Sequence, residues 1–181
     1  MGSRDCKEMN SLENLLSINH CDMNEFLELT HKTMMLFILE EICRAIKTDN
    51  LRDQIIREYQ KSLNEDRVTR KLVRDYCAID LPDNDLKLMT LWLKNFLTRS
   101  ATRSSVSKET KIALLEKQSY KCICCGTNID LANSHYDHDI PWTFVGDGLD
   151  GNYQMLCSYC NEHKSSRPYY MFKRKLIRKN N

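Results

Sequence analysis

Residues 11–99 carry apolar positions at a helical period, and almost nothing interrupts it. No glycine occurs between Gly2 and Gly126, and Pro82 is the only proline before Pro141. Asp22 followed by Glu25 has the form of a capping box and predicts a long helix to about Lys47. Within it Phe26, Leu29, Thr33, Leu36, Phe37 and Glu40 recur near helical spacing, while the run Met34-Met35-Leu36-Phe37-Ile38-Leu39 is apolar nearly all round. Such a belt is buried, either between neighbouring helices or in a dimer interface. Thr48-Asp49 predicts the cap of a second helix through about Leu63, and a third runs from about Glu65 to Ala78. Leu81-Pro82 breaks the pattern. Asp83 or Asn84 then caps a fourth helix bearing Leu86, Leu88, Met89, Leu91, Trp92, Leu93, Phe96 and Leu97. The pattern describes an all-α bundle of four or five helices.

The period is lost at Arg99-Ser-Ala-Thr-Arg-Ser-Ser-Val-Ser107, a stretch of short side chains that reads as a linker. Ser107 caps a short helix, KETKIALLEKQ, which leads into Tyr120-Lys-Cys122. The chain divides accordingly into a helical domain (1–99), a linker (100–106) and a second domain (107–181). The helical domain shows no repeat, no Gly-rich phosphate loop and no recognition-helix signature. His20 and His31 lack a Cys, Asp or His partner at helical spacing and read as surface or partly buried residues. A scaffold, dimerisation or protein-docking role is expected there, with DNA-site reading the lesser option.

Composition adds limits. With 41% hydrophobic and 29% charged residues, 181 residues form one moderate core or two small ones rather than a disordered chain. The apolar run at Met34–Leu39 is closed by Glu40-Glu41, so no membrane span is expected. The opening MGSRDCKEMN lacks a leader's apolar core, which points to the cytoplasm. The net charge of +2 hides an asymmetry. Residues 1–97 hold 14 basic and 17 acidic side chains, residues 98–181 hold 13 and 8. From Lys164 onward Arg167, Lys173, Arg174, Lys175, Arg178 and Lys179 occur with no acid among them, which fits a polyanionic partner and equally a solvated tail.

Nine cysteines are many for a cytoplasmic chain. Cys6, Cys21, Cys43 and Cys77 are scattered and read as small hydrophobes. Cys122-x-x-Cys125-Gly126 and Cys157-x-x-Cys160 form two knuckles whose four thiolates suit a closed structural zinc site. Cys124 competes as a ligand, but the glycine after Cys125 permits the tight turn of a knuckle. The 31 residues between the knuckles exceed the gap of a simple zinc ribbon, so they fold as an element of their own. That element contains HYDHDIPW, residues 135–142.

The order Cys122-x-x-Cys125-Gly126, Asp137-His138-x-Ile140-Pro141, Asn152-x-x-x-Leu156-Cys157-x-x-Cys160-Asn161-x-x-Lys164 resembles the HNH endonuclease family, in its zinc-knuckle branch with a ββα-metal core. The resemblance covers about residues 107–167. One departure is the bulky Trp142-Thr-Phe-Val before Gly146, where the family often has a small polar turn. The implied fold class is α+β: an all-α domain followed by a small zinc-stapled ββα-metal unit with a basic C-terminal helix.

The resemblance also implies roles. Asp137 and Asn161 would ligate a catalytic Mg²⁺ or Mn²⁺, in keeping with oxygen donors for a hard cation. His138 would take a proton from the attacking water, and Asn152 would fix the loop between the strands and orient the histidine. The products would be a 5′-phosphate and a 3′-hydroxyl. His135, on the strand face of Asp137, and His163, two residues after Asn161, are accessory candidates. Lys164, Arg167, Lys173, Arg174 and Lys175 are candidate contacts to the nucleic-acid backbone. The expected activity is DNA endonuclease, RNA not being excluded, in a setting such as restriction or phage defence. A homodimer or a protein partner would engage the helical domain. The alternative is a catalytically silent zinc module binding nucleic acid or protein. A RING-type module would need eight interleaved ligands, against four well-placed cysteines.

Overall fold

A computed structural model describes residues 16, 22–165, 167 and 170 of the chain. The scattered Cys6 and Cys21, His20 and the tail cations Lys173, Arg174 and Lys175 lie outside the described residues.

Helix α1 spans Met23–Thr48, and the Asp22 side chain accepts a bond from the Glu25 amide at 2.8 Å, as the capping pattern predicts. Its buried stripe is Met35, Leu36, Leu39, Ile42, Cys43 and Ile46, whereas Met34 and Phe37 are exposed. The apolar belt is thus largely spent inside the protein's own core. Helix α2 spans Arg52–Lys61 and corrects the expected cap: Thr48 ends α1, Asp49 is its C-cap, and Leu51 precedes α2 without a side-chain bond. The long first helix continues through the residues that would otherwise start the second, and Asn50, with φ 55°, makes the turn. Helix α3 (Glu65–Cys77) is capped by Asn64 and stops at Ala78 in the left-handed conformation. Helix α4 (Asp83–Thr98) follows Pro82 directly, without the predicted Asp or Asn cap, because proline's fixed φ suits a helix entry. Helices α1, α3 and α4 pack together around one apolar cluster.

Ser107 caps α5 (Lys108–Lys117) by accepting the Thr110 amide at 3.2 Å. Strand β1 (Ser134–His138) pairs antiparallel with β2 (Tyr153–Cys157), in a register that sets Asp137 opposite Gln154 and His138 opposite Tyr153. Between them lies one helical turn, α6 (Trp142–Val145), and after them α7 (Ser158–Lys164). The molecule is therefore α+β: a helical N-terminal region and a two-stranded sheet flanked by helices, with four cysteines drawn together. A second apolar cluster, with Leu115, Ile129, Met155 and Leu156, surrounds those cysteines.

The unusual Trp142-Thr-Phe-Val segment is α6. Phe144 and Val145, with Ile140, complete the core of the helical half, and α6 packs on α4 and α1. Packing thus crosses the polar stretch 100–106 rather than stopping at it. The approach is close. A Cβ on Gly146, whose φ is +62°, would lie 2.7 Å from the Arg99 Cβ, and one on Gly148 would lie 2.6 Å from Asn95 Oδ1. The Arg99 guanidinium stacks over Phe96 and Trp142, with 5.3 and 5.4 Å to the ring centres. Lys32 of α1 makes an ion pair with Asp139, just after β1.

Candidate active site and metal centre

The sulfurs of Cys122, Cys125, Cys157 and Cys160 all lie within 4.8 Å of one another. Zinc–sulfur bonds of 2.3 Å in a tetrahedron separate sulfurs by about 3.8 Å, and Cys125 and Cys157 are 3.8 Å apart. The four thiols therefore fit a zinc ion, and they are the pair of knuckles that the spacing singled out. The backbone shows how they are aimed. Gly126, at φ 77°, donates its amide to the Cys122 carbonyl at 2.8 Å and closes the first knuckle. Cys157 ends β2 and caps α7, its sulfur accepting the Cys160 amide at 3.4 Å. Cys124 is buried beside them but outside the four. Burial works against ionising Cys125, yet its hydrogen bonds with Thr127, Cys122 and Cys160 outweigh it and bring that thiol down to about 7. Burial holds the Cys157 and Cys160 thiols above their ordinary value.

Asp137 and His138 close strand β1 at its buried end. His138 is 1% exposed, with Tyr153 edge-on at 4.9 Å between ring centres. Its Nε2 lies 3.1 Å from Asp147 Oδ1 and its Nδ1 lies 2.9 Å from Arg103 Nη2. Arginine is always a donor, so Nδ1 accepts and Nε2 carries the proton given to Asp147. Burial is the main influence holding His138 below its ordinary pKa, the Arg103 charge adds to it, and the Asp147 bond opposes both.

Lys164 reaches back from the end of α7 and is 2% exposed. Its ammonium donates to the His138 carbonyl at 2.7 Å and lies 2.8 Å from Asp137 Oδ2. The latter contact is ionic without hydrogen-bond geometry, and Asp137 Oδ2 is buried with no hydrogen-bond donor. Among the expected backbone-contacting cations, Lys164 is thus enclosed at the histidine, whereas Arg167 is exposed. A buried lysine at a helix end looks the same in sequence as a solvated one.

Asn152 is 4% exposed and clamps Ile140, accepting its amide at 2.7 Å and donating to its carbonyl at 3.0 Å. Its two side-chain bonds are to the Ile140 backbone, in the segment that follows β1. Asn161 lies on α7, the helix that packs against both strands. His135 is exposed, with Nε2 3.0 Å from Ser158 Oγ. His163 is exposed, stacks on Tyr159 at 3.9 Å and pairs with the Tyr159 carbonyl at 2.8 Å. Neither ring is paired with Asp137 or His138. His31 is on the surface beside Asp85, 3.0 Å away.

Three contributors were not legible in the sequence. Arg103 comes from the polar stretch read as a linker. Asp147 follows α6, and its Oδ2 accepts the Ser104 amide at 2.8 Å. Tyr153 donates its hydroxyl to the Asp147 carbonyl at 2.9 Å while packing on His138, so one side chain braces both partners. Burial opposes ionisation of Asp147, but its bonds from Ser104 and His138 prevail and hold the carboxyl below its usual range. The register could have suggested Tyr153, since it sits opposite His138; nothing local marks Arg103 or Asp147.

No helix among the described residues is long and apolar enough to cross a membrane. No curated protein and no solved structure matches the chain. Residues 122–167, which hold both knuckles, both strands and α7, match the family model for HNH endonuclease, a match that points to a nuclease or nucleic-acid-binding module.

Proposed function

We propose that the protein is a divalent-metal-dependent endonuclease that hydrolyses DNA phosphodiester bonds. The observation that carries this reading is the held imidazole of His138. With Nε2–H given to Asp147 at 3.1 Å, the lone pair is confined to Nδ1, on the side of Asp137 and Arg103. A neutral imidazole in one tautomer, beside a carboxylate, is what proton removal from water requires. His138 Nδ1 takes a proton from the attacking water as its oxygen bonds to phosphorus. The bond from phosphorus to the 3′ oxygen breaks, and that oxygen is protonated from solvent. A 5′-phosphate and a 3′-hydroxyl result.

Asp137 and Asn161 offer oxygen donors of the kind a hard cation takes. Mg²⁺ or Mn²⁺ held there would supply charge to offset that growing on the phosphate. Cys122, Cys125, Cys157 and Cys160 would hold a structural zinc and keep α7, with Asn161 and Lys164, against the strands. Restriction or phage defence is the biological setting this reading suits.

One observation favours a second reading. Two cations, Lys164 and Arg103, already flank Asp137 at 2.8 and 3.9 Å and offset its charge without a metal. A catalytically silent zinc module that binds nucleic acid or protein would share that arrangement. Plasmid cleavage with Mg²⁺ or Mn²⁺ separates the two, beside a His138→Ala protein with its zinc content checked. Cleavage by the wild type alone supports the nuclease. Inactivity of both, with DNA binding retained, supports the silent module.

A further inference from the structure

We propose that Arg103 grips the scissile phosphate, and that its guanidinium rests on the lone pair of His138 until a phosphate draws it away. The inference rests on the nuclease reading and assigns a task to a residue outside the matched segment 122–167.

Arg103 Nη2 is 2.9 Å from His138 Nδ1 and 3.9 Å from Asp137 Oδ1. A phosphate attacked by water from His138 must lie beside both groups, so the guanidinium stands at the edge of that space. It is also anchored there. The next residue, Ser104, donates its amide to Asp147 Oδ2 at 2.8 Å, and Asp147 holds His138 through its other oxygen. Ser104 and His138 share one carboxylate, which sets the distance between them.

The chemistry of the contact makes it exchangeable. A guanidinium has five donors in a fork that matches two phosphate oxygens, so a phosphate offers it two parallel bonds to an anion. Here its partners are an uncharged imidazole nitrogen and a carboxylate oxygen beyond hydrogen-bond length. The side chain is 53% exposed, so a phosphate can reach it from solvent. The neighbouring cations are committed elsewhere: Lys164 is buried on Asp137 and the His138 carbonyl, and Arg99 is stacked on Phe96 and Trp142. His138 cannot receive a proton from water while Nδ1 is covered. Transfer of Arg103 to the phosphate uncovers the base at the moment substrate arrives.

The test uses the full-length, zinc-loaded protein with Arg103→Ala and Arg103→Lys variants. Cleavage of supercoiled plasmid and of bis(p-nitrophenyl) phosphate is measured with Mn²⁺. In parallel, the ring ¹⁵N resonances of His138 are followed as a short duplex oligonucleotide is added without divalent ion. Loss of a donor that meets the charge growing on the phosphate costs on the order of 100-fold in kcat. Arg103→Ala should lose that much on both substrates, and Arg103→Lys, which keeps the charge and guards against a folding defect, should lose less. The oligonucleotide should shift the His138 Nδ1 signal in the wild type and leave it unmoved in Arg103→Ala. A variant that cleaves as fast as wild type or faster overturns the proposal, since Arg103 would then only cover the base. So does a loss confined to KM on plasmid, which marks a remote backbone contact. If the wild type cleaves neither substrate, the nuclease reading fails. The ¹⁵N titration then decides Arg103 alone: a shift supports the phosphate contact, and its absence overturns it.

Discussion

Asp147 accepts the Nε2–H of His138 at 3.1 Å across the α6 turn, which also ties the two halves of the protein together. The same residue holds the Ser104 amide. A carboxylate in this position selects the tautomer and orientation of an imidazole without touching substrate. Removing it as Asp147→Ala should lower kcat by roughly 100-fold, the usual scale for a misplaced acid–base group. Cleavage rates at saturating DNA, with zinc content matched to wild type, check this. Unchanged kcat would mean that packing against Tyr153 is enough to hold the ring.

The pH dependence follows from the burial of His138. Burial and the Arg103 charge disfavour the protonated ring, so its pKa lies below the ordinary 6.5. The neutral base therefore persists as pH falls past 6.5, and the acid limb of the kcat/KM profile, which reports the free enzyme, should have its midpoint below that value. Stability moves in the same sense. In the unfolded chain the ring takes up its proton first, so the contribution is complete above about 6.5 and is lost as pH drops towards the folded value. Melting temperatures between pH 7.5 and 5.5 should fall accordingly. An acid limb centred at or above 6.5 would contradict this picture.

Metal removal should act on one core and not the other. The four cysteines sit within the cluster of Leu115, Ile129, Met155 and Leu156, a small core that a zinc ion on those thiols would staple. Stripping zinc, or Cys160→Ser, should abolish amide-exchange protection in β1 and β2 while α1, α3 and α4 remain helical. Because burial keeps the Cys157 and Cys160 thiols raised, zinc uptake should release protons, and affinity should weaken as pH is lowered. Calorimetry in buffers of different ionisation enthalpy reads that release. Full protection of both strands in the zinc-free protein would show the staple to be dispensable.

Lys164 offers a test of burial against solvation. With 2% and 14% side-chain exposure, Lys164 and Asp137 form an enclosed ion pair, and removing one partner of such a pair costs about 3–5 kcal/mol. Lys164→Met, close in volume, should lower stability by that order in urea unfolding, whereas Arg167→Met at an exposed position should change it little. Equal small effects from both would place Lys164 in solvent after all.

Much of this architecture is a local property of the chain. The apolar period of α1, the Asp22 and Ser107 caps and the break at Pro82 were legible because helix pattern and end chemistry act over a few neighbouring residues. The convergence of the four cysteines and the place of Asp137-His138 on one strand were legible for the same reason, since ligand spacing and strand alternation are short-range rules. Where neighbouring signals compete, the local pattern misleads: Thr48-Asp49 has the form of a helix start, yet α1 continues through Thr48 and ends on Asp49.

Tertiary structure decided what joins distant segments. It brought Arg103, from a stretch with no apolar period, to His138, 35 positions away, and Asp147 to the other ring nitrogen. It turned Lys164 inward, and it made Trp142–Val145 the piece that completes the helical core. Such contacts depend on shape and charge complementarity between elements far apart in the chain, which no local period records. The sequence by itself thus determined the helices, the knuckles and the identity of the paired Asp and His; only the folded chain decided what holds that histidine and what covers it.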